Sequence, residues 1–553
     1  MILIRHFVLR FANNDLMSFE HERRESQLVL LAALTMVSGA VAHLIFFKFL
    51  LLHSSVKIAG IWPEKTYFLS YVMALSGMLC IIVRDNLFMD RSDVANLMVL
   101  PLKRQTLFAA KFCGTLFYIF LIAAAMNLFS TPVITIYVME KLLQSPLYFV
   151  LIHLISNFLA ILFVFLAIAA LQGILMVFLR GRWRRRISAL VQGALLMGFI
   201  SIFVWFPKVY PSLAQLKAGH SPFLYLYPPS WFAGLHEQLS GSVGPLYDRL
   251  ALLGGVAICL AVLIYGLTLP FSLKRYLQRA DFRESTVSLF RPLRRLTGRL
   301  KDVFLKEPVE RGIFHFFMLT LRRSQKHRFY LTLMMALPVG FVVSQAVYLF
   351  SRKGIHYFQA VNVPMLYFPF ILSFALIGGL RILVELPVNA NAHWLFQVSE
   401  NFRRHLYAAG LKKALCCAAV LPLFLILSVV YLYFWKPGIA LQHSLYCLVT
   451  LLLMVEVFFL GYRKVPFAAV YNPEATNLKA TWPLFLLIFL IYSFVFFKLG
   501  LLLLLKPQYN ILFYPAAFLL HLGLKWYENK NGKSGLVFVE ESPPLMLSLD
   551  LGR

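Results

Sequence analysis

Charge is scarce in this chain of 553 residues: Asp, Glu, Lys and Arg together make up 14%, where a soluble domain carries about 25%. Carboxylates are the scarcer kind, 24 against 53 Lys and Arg. No catalytic paired-carboxylate cluster stands out in one loop, and neither HExxH nor GxSxG occurs, so metal-assisted hydrolysis and nucleophile-elbow chemistry have no motif to stand on. Gly532-Lys533-Ser534 has the ending of a phosphate-binding loop, but Tyr527 occupies the position of its first glycine. An ATPase of its own is therefore excluded. The six cysteines, Cys80, Cys113, Cys259, Cys416, Cys417 and Cys447, form no CxxC pair and sit in apolar runs, where they act as small hydrophobes. The His236-Glu237 pair stands alone and is only weak evidence for a metal site.

What the chain has is apolar surface: 60% of its residues are hydrophobic and 15% aromatic, with a mean hydropathy of +0.74. That composition predicts an all-α, polytopic membrane protein. Twelve segments approach the ~20 residues needed to span a bilayer core. They are 28–47, 67–83, 107–128, 147–179, 187–206 and 250–273, then 329–350, 364–384, 411–435, 441–462, 482–505 and 511–524. The apolar N-terminus, Met1 to Phe11, is broken by basic residues and lacks a continuous signal-peptide core, so an interfacial helix is expected there.

The formal charge of +29 could suggest nucleic acid, but the Lys and Arg residues gather at the ends of apolar segments. With twelve spans, 40 of the 53 fall on the side of the N-terminus, which predicts a cytoplasmic N- and C-terminus. The expected divisions are a first six-span half (1–273), a basic cytoplasmic linker with a second elbow-like helix (274–328), a second six-span half (329–524) and a cytoplasmic tail (525–553). The linker's cationic surface suits anionic lipid head groups, and the bilayer rather than nucleic acid is the expected partner.

The halves look like copies. Arg104 with Leu107-Phe108-Ala109-Ala110 lines up with Arg403 and Leu406-Tyr407-Ala408-Ala409 at a constant spacing, and apolar segments precede both. Each half thus carries a polar segment on the cytoplasmic side that could receive a push from a partner. Inside the spans, His43, His153, Asn157 and Glu456 are costly in hydrocarbon. They serve either as a polar lining or proton-coupled site, or simply as interhelical hydrogen bonds. On the outer side, Tyr227-Pro-Pro-Ser-Trp-Phe-Ala-Gly-Leu-His-Glu-Gln-Leu239 reads as a turn into a short surface helix.

With this plan in hand, Leu100-Pro-Leu-Lys-Arg-Gln-Thr-Leu-Phe-Ala-Ala-Lys111 resembles the segment between the second and third spans of type-2 ABC exporter permeases. Leu386-Pro387, Ala392-His-Trp-Leu-Phe-Gln-Val-Ser-Glu400 and Arg463-Lys-Val-Pro-Phe467 resemble motifs of a bacterial, two-repeat branch of these proteins. The resemblance implies a bacterial inner-membrane permease with no catalytic, cofactor or metal residues of its own. Its partners would be two copies of an ABC ATPase subunit, which would hold the ATP and magnesium. Residues implied to couple to that ATPase are Asp93, Asn96, Pro101, Lys103 and Arg104 in the first half, with Glu400, Arg403 and Arg404 in the second. Pro229, Trp231 and Glu237 fall in the implied external gate helix. Two other expectations stand beside this one: a secondary, ion-coupled carrier, for which Glu456 is the best coupling residue, and a membrane enzyme acting on lipid-linked substrates.

Overall fold

Proline sets where many of these helices begin. In the first turn its missing N–H has no helical partner to lose, and it opens the helices at Trp62, Pro146, Pro228, Pro308, Val363 and Pro437. Ser145 and Asn362 also cap two of these helices and Ser324 caps a further one, accepting from the N–H groups of Tyr148, Met365 and His327 respectively. The computed structural model describes the backbone of residues 2–12, 23–51, 61–89, 97, 99, 101, 103–138, 145–179, 181–209, 213–219, 221–242, 244–277, 305, 307–386, 404–462, 465–467 and 478–531. These residues are overwhelmingly helical, and no strand occurs among them.

Two units divide the chain, Met1–Ser285 and Thr286–Arg553. The first contains α1 (Ile2–Ala12), α2 (Arg23–Leu50), α3 (Trp62–Ile82), α4 (Arg104–Val138), α5 (Pro146–Phe178), α6 (Gly181–Val209), α7 (Pro228–Leu239) and α8 (Pro245–Leu277). The second contains α9 (Pro308–Arg323), α10 (Gln325–Lys353), α11 (Val363–Leu383), α12 (Arg404–Leu415), α13 (Leu421–Phe434), α14 (Pro437–Phe458), α15 (Leu478–Leu505) and α16 (Asn510–Asn531). A π turn at Cys416–Val420 joins α12 to α13 just ahead of Pro422, which lacks the N–H that an unbroken α-helix would use there.

Among the described residues, ten helices are long and apolar enough to cross a membrane. Their exposure supports the same conclusion. The window within Pro245–Phe271 has a mean hydropathy of 2.5 yet is only 22% buried. Leu44, Phe178, Leu512 and their like face outward. In water so much exposed apolar surface would drive aggregation, whereas hydrocarbon solvates it. The protein is a multi-pass, all-α membrane protein. Two of the twelve expected spans stand apart: the apolar core of α6 is the shorter run Ile187–Phe203, and α16 is not among the ten.

Each unit contains the same local arrangement. In the first, α1 lies across the start of α4, with Phe7 buried against Leu107 and Ala110. In the second, α9 lies across α12, burying Ile313, Phe314 and Phe317. Both contacts depend on a glycine. A Cβ on Gly114 would meet Phe7 Cβ at 3.0 Å, and one on Gly410 would meet the Glu310 carbonyl oxygen at 2.8 Å. Lys413 and Glu310 add an ion pair of 2.5 Å at the second contact. The matching tetrapeptides noted in the sequence lie in the first turns of α4 and α12, with Leu107, Ala110, Leu406, Tyr407 and Ala408 all buried.

The Phe467 N–H donates to the Val384 carbonyl at 2.7 Å, and the Phe467 ring stacks on Phe317 and meets His327 edge-on. His327 Nε2 donates in turn to the Leu386 carbonyl at 3.0 Å. Phe467 adopts a φ of 61°, a left-handed conformation that a bulky residue keeps only when its surroundings hold it.

Candidate functional site: a buried polar cluster in the first unit

Three spans of the first unit meet at a group of polar side chains within their apolar core. Lys65 enters from the first turn of α3, His153 and Asn157 stand one turn apart on α5, and Asn127 projects from α4. Spacing of i, i+4 puts His153 and Asn157 on one face. At 1.5 Å per residue, His153 lies about 10 Å into α5 and Asn127 about 16 Å from the end of α4. This is the end of the bundle opposite Pro101 and Arg104. None of the four side chains is more than 6% exposed.

Continuous hydrogen bonding links them. Asn127 Nδ2 donates to the Ala123 carbonyl at 2.7 Å, and Asn157 Nδ2 donates to Asn127 Oδ1 at 2.7 Å. Asn157 Oδ1 accepts from Lys65 Nζ at 2.8 Å. The His153 ring closes the circuit, with Nε2 2.8 Å from Asn157 Nδ2 and Nδ1 2.9 Å from Lys65 Nζ. Lys65 makes no ion pair with a carboxylate among the described residues. A buried lysine so placed is costly in hydrocarbon and marks a functional site by default.

Helix α7 covers the cluster. The sequence reads as a surface helix at this point, and the structure corrects it: α7 packs against α3, α5 and α8. Pro229, Ser230, Phe232, Ala233, Gly234, His236 and Glu237 are buried. The two prolines do open the helix, but apolar and small residues occur around its whole circumference, so it has no face suited to water. Trp231 is half-buried, its Nε1 donating to the Tyr225 carbonyl at 2.9 Å. Glu237 accepts from the Ile61 N–H and from Ser242 Oγ, both at 2.9 Å, which ties α7 to the start of α3. Burial raises the Glu237 carboxyl above the usual carboxylate range despite these donors. His236 packs edge-on against Phe149 and His153, at 5.7 and 6.4 Å between ring centroids. Neither of its ring nitrogens has a hydrogen-bond partner among the described residues, and burial holds the ring well below the ordinary imidazole range.

Glu456 does not join His153 and Asn157. It belongs to the second unit, where Lys412 Nζ bridges it to Glu528 at 2.6 Å each. His521 Nδ1 lies 3.8 Å from the same carboxylate. That arrangement clamps α12, α14 and α16 together. His43 meets Tyr137 Oη at 2.7 Å on an exposed face.

Of the residues implied to couple to an ATPase, Pro101, Lys103 and Arg104 are exposed at the opening of α4, the Lys103 carbonyl accepting from the Thr106 N–H at 3.0 Å. Asp93, Asn96, Glu400 and Arg403 lie outside the described residues, and of Arg404 only the helical backbone is described. No group of His, Cys, Asp and Glu able to hold a metal occurs among the described residues. Lys65 and Asn127 were not singled out from the sequence. The available signal was a lysine inside the first turn of a proline-opened apolar helix.

No protein family, curated protein or solved structure matches this chain.

Proposed function

We propose that this chain is the membrane-spanning permease of an ATP-driven exporter in a bacterial inner membrane, with both six-span halves in one polypeptide. The motor is a separate ABC ATPase bound as two copies, since the chain has no complete phosphate-binding loop. One observation carries the reading. In each unit an amphipathic helix braces the start of the third span, and in the first unit the exposed turn Pro101, Lys103 and Arg104 leads directly into the braced helix. A force applied at that turn would reach α4 with little lost to bending. ATP-driven closure then shifts the permease between two states only through contacts that differ between them, and a basic turn on an ATPase groove is a suitable contact. Helix α7, which follows the fifth span in sequence and packs against α3, α5 and α8, supports a gate at the opposite end.

The test is to purify the tagged chain from its native membrane and assay ATP hydrolysis. An ABC ATPase should co-purify, and the double variant Lys103→Glu, Arg104→Glu should express normally while losing substrate-stimulated hydrolysis. Full stimulation in that variant would sink the coupling assignment. A second reading, an ion-coupled carrier, draws its support from the Lys65 cluster rather than Glu456, whose carboxylate is already paired with Lys412. Absence of any co-purifying ATPase, together with uptake driven by a pH gradient, would favour it.

A further inference from the structure

The hydrogen bonds around Lys65 fix its proton count. The Ala123 carbonyl can only accept, so Asn127 must present its Nδ2 there and its Oδ1 to Asn157. Asn157 therefore presents Nδ2 to Asn127, which leaves its Oδ1 facing Lys65 and its second amide proton facing His153 Nε2. His153 Nε2 must then be the bare, accepting nitrogen, and a neutral imidazole carries its one proton on Nδ1. Nδ1 faces Lys65 Nζ at 2.9 Å. An ammonium has no lone pair to receive that proton, whereas an amine has one. The circuit closes only when Lys65 donates to Asn157 Oδ1 and accepts from His153 Nδ1. With an ammonium at Lys65, the ring proton must sit on Nε2, 2.8 Å from the amide donor of Asn157, and two donors would face each other in a site closed to water.

We propose that Lys65 and His153 form a proton-binding site: Lys65 is an uncharged amine in this packed arrangement and takes up one proton when the packing loosens. On uptake, Nζ gains a proton and becomes the donor to His153 Nδ1. The ring proton moves to Nε2, and Asn157 must turn away from it. One proton enters and the contact between α3, α4 and α5 is broken. The surroundings suit this role. The charged and titratable groups facing the pair are His236 and Glu237 from α7, with Glu64 on α3 already paired to Lys48 at 2.5 Å. None of them makes an ion pair with Lys65. The ring nitrogens of His236, without a hydrogen-bond partner among the described residues, lie next to His153 on the side covered by α7 and offer a relay for a proton. The site rests on the first unit's own geometry and is independent of any ATPase.

The test is the pH dependence of thermal unfolding of the full chain in detergent between pH 7.5 and 9.5, a window where unfolded lysine is protonated. If Lys65 is an amine in the folded protein, unfolding takes up one proton there, so the wild-type midpoint climbs with pH. Lys65→Met should remove that one-proton increment from the slope. Asn157→Asp is the second variant, because a carboxylate at this position gives the pair the same proton count folded and unfolded, and it should flatten the slope equally. Slopes unchanged from wild type in whichever variant folds would show an ammonium at Lys65 and overturn the proposal.

Discussion

Asn157 of α5 donates to Asn127 of α4 at 2.7 Å, an amide-to-amide hydrogen bond between two membrane spans with neither residue more than 6% exposed. Interhelical bonds of this kind contribute about 0.6 kcal/mol on average and up to about 1.7. Asn157 also orients His153 and Lys65, whereas the hydrogen bonds of the Asn127 side chain among the described residues go to Asn157 and its own helix. The two ends of one bond should therefore differ: Asn127→Leu is expected to cost about 1 kcal/mol and Asn157→Leu about 2–3, since the second leaves several buried groups unpaired. Unfolding midpoints of the two variants in the same detergent check this.

His236 gives an acid-side prediction. Its folded pKa is lowered, so below the ordinary value of 6.5 the unfolded chain binds a proton that the folded one refuses. Stability should fall as the pH drops below 6.5, and His236→Phe should reduce that decline by up to one proton's worth of slope. A variant with the wild-type decline below pH 6.5 would assign the titration elsewhere.

Gly410 and Gly114 should tolerate alanine unequally. At Gly410 the added methyl meets backbone, the Glu310 oxygen at 2.8 Å and Cα at 3.1 Å, and α9 must shift to admit it. At Gly114 the approach is less tight, with Phe7 Cβ at 3.0 Å and the nearest backbone atom, the Ile4 oxygen, at 3.6 Å, so a smaller shift of α1 admits it. Gly410→Ala is expected to cost about 1–3 kcal/mol, Gly114→Ala less. Equal losses in thermal midpoint would mean that the two contacts are not limited by these approaches.

Lys412 stands between two carboxylates, Glu456 and Glu528. Removing it as Lys412→Met leaves both facing each other with less than a fifth of either side chain exposed, a loss of about 3–5 kcal/mol. The triple change Lys412→Met, Glu456→Gln, Glu528→Gln should recover most of that loss. A triple variant as unstable as the single one would show that lysine packing, rather than charge, holds α12, α14 and α16.

Much of the fold is legible in the sequence because the bilayer imposes a simple rule: long apolar runs must be helices. The ten apolar helices follow the runs closely, and the matching tetrapeptides at Leu107 and Leu406 point correctly to equivalent first turns. What escapes is anything decided by neighbours far along the chain. Nothing near Lys65 in sequence announces that His153 and Asn157 will meet it, and those two residues point to a cluster without naming its lysine. Glu456 looks similar to them in sequence yet is neutralised by Lys412, forty-four residues earlier. The α7 segment misleads for the same reason, since its prolines and polar residues suit a surface turn until α3, α5 and α8 enclose it.

Phe467 has one further implication, for the order in which the second unit can be finished. Its ring covers Phe317 on α9, and its N–H holds the end of α11. A ribosome releases α9 first and reaches Phe467 only after the third and fourth spans of that unit have been made. Until then the aromatic side of α9 lacks its cover, and the left-handed turn at Phe467 has no scaffold to hold it. A polypeptide truncated after α14 should thus hold α9 on α12 through Glu310 and Lys413 yet leave Phe317 without its cover and more open to protease, while extension through residue 467 should close it.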